Sequence, residues 1–521
     1  MQELFELIRI ANPTKLKNIQ PLGKVDTLAD TLYSLIQKGE VQSDEDALRH
    51  LYSDTKSKVA LYQVKEKLFN KLVDTILIID PNSKNVSPYS IAHHDCLKFC
   101  AAFEKITLKG GKKSVLKLGE KTLKLALAYN MSDIIVRISK VLMRKAVYLL
   151  KDEKKLNFYR KLYVKYIAIE QLDELSNYYW LNISLRTSQK RMIADDALIE
   201  QANQYIKELE SKLLPDHTAA TFINIQGLKL RIEELKHNHE KVVELVDEYL
   251  IGLKNYKDVH ANYFTVGLNM KMSALITLRR YREAEKVAQK TFKTTREGYS
   301  SWFTALENLL ILHFYQSKYA EALKVYQQGS TNKGFKLLPK SRQEIFNVYR
   351  AYIQFFMNVG LLSTQEAGRG YKTYRSAKFS NEVPIFSKDK IGINITIKVA
   401  QFILLFTEGK YKEANKKIES LRQYAHSHLR KGVTYRANCF MKMLIKLIEC
   451  SYHKDATIRK TKDNLEKLKN IPPEAQRQTS HVEIVPYETL WAIIMDRIDN
   501  SSLYKFKKKT KNSKSKQSII D

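Results

Sequence analysis

"RRYREAEK" at residues 279–286 returns twice downstream, as "SKYAEALK" at 317–324 and "GKYKEANK" at 409–416. Each copy holds Tyr-x-Glu-Ala and opens an amphipathic run. Tyr281 and Tyr319 lie 38 residues apart, and Tyr319 and Tyr411 lie 92 apart, twice 46. A weaker fourth copy, "HNHEKVVELVDEYL" (237–250), puts His239 at the tyrosine position, 42 residues before Tyr281. Lys241 and Val242 stand there in place of the Glu and Ala. A period of roughly 38–46 residues fits paired helices stacked in an array. Each phrase then spans the junction between two helices. Tyr281, Tyr319 and Tyr411 pack back on the preceding helix. Glu283, Glu321 and Glu413 sit in the first turn of the next, at the positive end of its dipole. Ala284, Ala322 and Ala414 are small because two helices cross closely there.

The surrounding chain agrees with an all-α reading. Gly (17) and Pro (10) are scarce in 521 residues, whereas turn-rich β folds need many of each. Apolar residues at 61, 64, 68, 72, 76 and 79 keep the three-and-four spacing of a helix. Ser43 followed by Asp46 outlines a capping box. Ser132 reads as the cap of another helix. The breaks are "PNSKNVSPYS" (81–90), "LKGGKKS" (108–114) and "LLPDH" (213–217), with two longer irregular stretches at 359–392 and 470–488. The first of these reads as a long ordered loop across the array. The expected organisation is an N-terminal helical region over 1–110, a helical array over 111–500 and a disordered Lys-rich tail over 501–521.

The three phrases resemble the tetratricopeptide repeat (TPR) family. The matching residues are Tyr281, Glu283 and Ala284; Tyr319, Glu321 and Ala322; and Tyr411, Glu413 and Ala414, with Gly409 in the inter-helix turn. Tyr326 fits the family's aromatic position. The family's closing Pro is absent after every copy. Its small first-helix residue is here Met272, Leu310 or Phe402, and the spacing exceeds the family's period of about 34. The resemblance covers about 230–425 and implies a right-handed α-solenoid of helical hairpins with a helical cap. Such a solenoid presents a long concave face to peptides. The family's role is protein–protein scaffolding, with no intrinsic chemistry.

The net charge is +32 and lies mainly in the second half. Residues 1–100 net to 0, 251–450 carry +20, and 501–521 carry +6. That field attracts polyanions. A solvated Lys-rich surface gives the same total. Lys507, Lys508, Lys509 and Lys511 of the tail are candidate polyanion contacts. Two functional classes follow. One is an adaptor for a protein or peptide partner, with acidic segments favoured. The other is a nucleic-acid-binding or transcription-regulatory protein using the basic second half. Residues 44–72 add a faint helix-turn-helix pattern, with Lys56, Lys58, Lys65, Lys67 and Lys71 near phosphate if it binds DNA.

Motifs for chemistry are sparse. "TLKGGKKSVLKLGEKT" (107–122) lacks the P-loop frame, because Glu120 separates Gly119 from Lys121. His93, Cys96 and Cys100 share a helix face, but Zn²⁺ wants a fourth ligand. Two buried cysteines acting as small hydrophobes account for the same spacing. The His pairs at 237–239 and 426–428 point to different sides of a helix. Asp195 and Asp196 read as capping charge. Tyrosines at helical spacing, as in "YVKYIAIE", read as a packed seam. The chain opens without a secretory apolar run, and no stretch approaches a membrane span. Four cysteines make no disulfide framework. The expectation is a reduced, cytoplasmic, non-enzymatic protein without cofactor or metal.

Overall fold

Ser43 and Asp46 show how directly local chemistry sets the helix starts. In the computed structural model, Ser43 Oγ accepts the Asp46 N–H at 3.1 Å and the Asp46 carboxylate accepts the Ser43 N–H at 3.0 Å. This satisfies two otherwise orphaned donors. The structure describes residues 1–11, 27–52, 58–78, 87–190, 196–256, 259–368, 371–384, 393–429, 435–471 and 482–498. Among these residues every regular element is a helix and there is no strand. The contacts divide the chain into two units, Met1–Ile167 and Ala168–Asp521.

The first unit begins with α1 (Gln2–Ala11), α2 (Thr27–Lys38), α3 (Asp44–Leu51) and α4 (Lys58–Ile78). Leu61, Val64, Leu68 and Leu72 form the buried stripe of α4, at the spacing the sequence sets, and meet Leu4, Ile8, Leu32 and Ile36. Three further helices pack in sequence: α5 (Pro88–Leu108), α6 (Lys113–Ala128) and α7 (Ser132–Lys145). Gly119 permits the close approach here, since a Cβ would lie 2.8 Å from Phe103 and 2.9 Å from Leu142. Ser132 does not cap α7. It is the first helical residue, buried, while Met131 holds the cap position without a side-chain bond. The 38-residue α8 (Glu153–Lys190) begins in this unit and ends in the second.

The second unit continues with α9 (Asp196–Ser211), α10 (Ala219–Lys236), α11 (His239–Gly252), α12 (Ala261–Thr277), α13 (Tyr281–Thr294), α14 (Ser300–Tyr315), α15 (Tyr319–Thr331) and α16 (Lys340–Asn358). Each packs on the next, and α12 also touches α14. Two short helices follow, α17 (Thr364–Ala367) and α18 (Ser376–Glu382), inside the stretch read as a loop. Tyr374, Phe379 and Val383 bury that stretch against α16 and α19 (Ile393–Thr407). Then come α20 (Tyr411–Lys416), α21 (Ile418–His428), α22 (Tyr435–Glu449), α23 (Lys454–Asn470) and α24 (Tyr487–Asp496). The helices α14 and α19 are buried on nearly every side and, with the amphipathic α16 and α22, supply nearly half of one continuous core. A helix hydrophobic all round must be covered all round.

The last described stretch supplies that cover. Residues 482–498 leave the neighbour-to-neighbour pattern and return to earlier helices. The Tyr315 hydroxyl of α14 donates to the Glu483 carbonyl at 2.8 Å, and Thr396 of α19 donates to the Val482 carbonyl at 2.7 Å. Ile484, Val485, Leu490, Trp491 and Ile494 are buried. The residues 482–488, read as irregular, are therefore core.

Candidate functional site

The three phrases occupy equivalent places. Tyr281, Tyr319 and Tyr411 are each the first residue of a helix, and each follows a left-handed residue by two: Arg279 (φ 58°), Ser317 (φ 59°) and Gly409 (φ 69°). The intervening N–H bonds back to a carbonyl five residues earlier, from Arg280 to Leu275, Lys318 to His313 and Lys410 to Leu405, at 2.8–3.0 Å. This is the Schellman closure of a helix C-terminus. The fourth copy shares it, with His237 left-handed at φ 56° and Asn238 N–H bonded to the Glu233 carbonyl at 3.0 Å. Its tyrosine equivalent, His239, likewise opens a helix.

The tyrosines pack forward. Tyr281 meets Tyr315 edge-on at 6.3 Å, Tyr319 stacks on Phe356 at 3.8 Å, and Tyr411 meets Tyr452 at 4.6 Å. Each partner stands at or just beyond the C-terminal end of the first helix of the following pair. Tyr411 also meets an aromatic of the helix before it, Phe406 at 6.2 Å. Ala284, Ala322 and Ala414 are wholly buried. Glu283 is held by Arg280 at 2.6 and 2.7 Å, while Glu321 and Glu413 lie exposed in their first turns. These residues build the turn between two successive helices and its contact with the helix that follows. They do not converge on a ligand.

A groove does form where α11, α12 and α13 meet. Its volume is about 360 Å³. Leu250, Phe264, Leu268 and Val287 line its floor, and the exposed Lys254, Lys290 and Lys293 stand at its rim. Lys271 is paired with Asp247 at 2.5 Å, so the rim keeps a positive surplus. An apolar floor under a cationic rim suits an acidic chain that also carries an apolar side chain. By contrast, the faces of α14, α19 and α22 are occupied by residues 482–498. Arg436 anchors that occupation. It is wholly buried, and its five N–H groups reach Glu483 (2.7 and 3.0 Å), Glu488 (2.5 Å) and the carbonyls of Leu468 (2.7 Å) and Ile471 (2.6 Å). Burial opposes the charge, but the two carboxylates outweigh it and hold the guanidinium above its ordinary range.

The remaining candidates resolve as packing or surface. Burial pushes the Cys96 thiol up to about 12 and the Cys100 thiol up to about 11, so neither is a nucleophile near neutral pH. Among the described residues no group of three His, Cys, Asp or Glu side chains is placed to hold a metal ion. Gly110 and Gly111 close a helix C-terminus, with the Gly111 N–H on the Ile106 carbonyl at 2.9 Å. Two lysines of the helix-turn-helix pattern are engaged, Lys65 with Asp44 and Lys71 with Asp30, both at 3.0 Å. Lys56, Asp195 and the tail lysines Lys507, Lys508, Lys509 and Lys511 lie outside the described residues. No described helix is long and apolar enough to cross a membrane.

Sequence reasoning missed the groove, the Arg436 network and a small lysine-lined cavity beside α19. The usable signal was a charge inside an apolar run: Lys398 in "INITIKVAQFILLF" (393–406) and Arg436 near the start of α22. Compared with known proteins, the chain matches no family model, no curated sequence and no solved structure.

Proposed function

We propose that this chain is a non-enzymatic adaptor. In this reading its second unit is a right-handed, TPR-like α-solenoid, and its groove at α11–α13 takes an acidic, amphipathic segment of a protein partner. The observation that carries the reading is the recurrence of one junction: a left-handed residue, a Schellman closure and a tyrosine opening the next helix, at 281, 319 and 411. Helices that pack on chain neighbours support stacked hairpins. The lysine rim and apolar floor support the choice of partner. Residues 482–498 already cover the faces of α14, α19 and α22, while the α11–α13 groove stays open.

The test is binding of a fluorescent peptide alternating Glu with Leu or Phe, compared with K254E/K290E/K293E. The reading expects loss of binding on charge reversal and little loss on replacing the Lys507–Lys511 cluster. Rim charges act through screened fields, so raising salt weakens binding modestly. Tight nucleic-acid binding with a steep log-salt slope, about −0.9 per phosphate contacted, would instead favour the nucleic-acid reading. Equal peptide binding by wild type and the triple variant rules the groove out.

A further inference from the structure

Lys398 stands in the middle of α19, among thirteen successive buried residues from Asn394 to Phe406. It is 9% exposed. Among the described residues no carboxylate is paired with it. Its Nζ lies 3.3 Å from Ser420 Oγ and 4.8 Å above the Tyr424 ring. Burial, and then the Lys417 charge, holds its ammonium below the ordinary range. Removing an ammonium from water costs several kcal/mol unless something compensates it. A hydroxyl and an aromatic face offset part of this cost. A neighbouring cation adds to it.

The same lysine opens on a cavity of about 130 Å³. Gln401, Phe402, Leu405, Ala414 and Leu421 wall it, and Lys416, Lys417 and Ser420 stand around its mouth. The first turn of the eleven-residue α21 is part of this wall. Lys417 is its cap residue, Ser420 its third residue, and no side chain caps the helix start. Glu419 stands in the same turn but is exposed and does not line the cavity, and the positive end of a helix dipole favours an anion. Three lysines, a hydroxyl, an amide side chain and a helix start thus surround one small space that no described carboxylate enters. A core position would be filled more cheaply by leucine.

We propose that this cavity binds a small oxyanion, the phosphoryl or carboxylate group of a free ion or metabolite, with Lys398 as the buried cation and Ser420 and Lys417 completing the site. The site is separate from the α11–α13 groove and does not depend on it. A bound oxyanion supplies Lys398 with its missing counter-charge and ties α19 to the α20–α21 corner.

The experiment is calorimetric titration of the full chain with inorganic phosphate at constant ionic strength. Saturable one-to-one binding is expected. K398M weakens it by about ten- to a hundredfold, the scale of one charge-assisted hydrogen bond to a buried ion. K417A, on the exposed mouth, weakens it about threefold to tenfold without touching the core, and remains informative if K398M does not fold. Titration with acetate and with a phosphomonoester then distinguishes the source: preference for the monoester assigns a phosphoryl ligand, and equal binding of acetate assigns a carboxylate. Absence of saturable binding of phosphate, monoester and acetate up to about 10 mM overturns the proposal. So does binding that both variants leave unchanged.

Discussion

Replacing Arg436 with methionine removes a charge whose five N–H groups are all in use. Glu483, 5% exposed, would keep only the Tyr487 N–H at 2.9 Å. Glu488 has water access, so its loss is small. The carbonyls of Leu468 and Ile471 would lose their donor as well. Breaking one side of a buried ion pair costs about 3–5 kcal/mol, and each orphaned carbonyl adds at most about 1–3 kcal/mol. These terms overlap, so the expected loss for R436M is about 4 kcal/mol, roughly a thousandfold in the folding equilibrium. The double variant R436M/E483M should recover part of the loss, because no carboxylate is then buried without its counter-charge, while the Leu468 and Ile471 carbonyls and the Tyr487 N–H still lack their partners. The assay is denaturant unfolding followed by Trp491, which is buried in α24, with Trp180 and Trp302 replaced by Phe. A loss below about 1 kcal/mol for R436M, the range of exposed ion pairs, would refute the reasoning. Failure of the double variant to recover would refute the second half.

The turns within the helix pairs make opposite-signed predictions. Arg279 and Ser317 adopt a left-handed backbone with exposed side chains, so R279G and S317G should each raise the thermal midpoint, by about 0.5–1 kcal/mol of stability. G409A should lower it by about 1 kcal/mol; equal responses at the three turns would show that the backbone strain is not real. Burial holds the His239 and His313 imidazoles below their ordinary value, with Lys318 adding to the effect on His313. Unfolded histidine takes a proton near pH 6.5 and these folded ones take it only at lower pH, so stability should fall as pH drops below about 6.5, by at most about 1.4 kcal/mol per pH unit per group. Unfolding at pH 7.5 and 5.5 checks this, and H239Q/H313Q should flatten the slope; a slope unchanged by the substitutions would remove the histidines from the account.

The helices were legible because their signals are local. Ser43 and Asp46 are three residues apart, the α4 stripe repeats every three or four, and a Tyr-x-Glu-Ala phrase needs only its own turn to place Tyr and Ala. The forward stacking of Tyr319 on Phe356 was not legible, since nothing in the phrase says which neighbour the ring meets. The Ser132 cap failed because the preceding turn, with Asn130 left-handed at φ 52° and the Met131 N–H on the Ala126 carbonyl at 3.0 Å, already sets the entry into α7. The stretches at 359–392 and 470–488 looked irregular through their glycines and prolines, yet Tyr374, Phe379, Ile484 and Val485 are buried. Their partners are helices far off in sequence, which local pattern does not report. The groove and the Lys398 cavity are likewise products of three segments meeting.

Glu483 touches Tyr315 of α14 through its carbonyl and Arg436 of α22 through its carboxylate. One residue thereby measures the separation of two helices with several others between them. Repeat arrays ordinarily gain or lose a unit with little disturbance, because each unit contacts only its neighbours. Here a duplicated or deleted hairpin between α14 and α22 would displace one end by about 8–10 Å per helix added or removed. No side-chain rearrangement of Glu483 spans such a shift. The fold therefore counts its own helices over this stretch, and their number there is fixed.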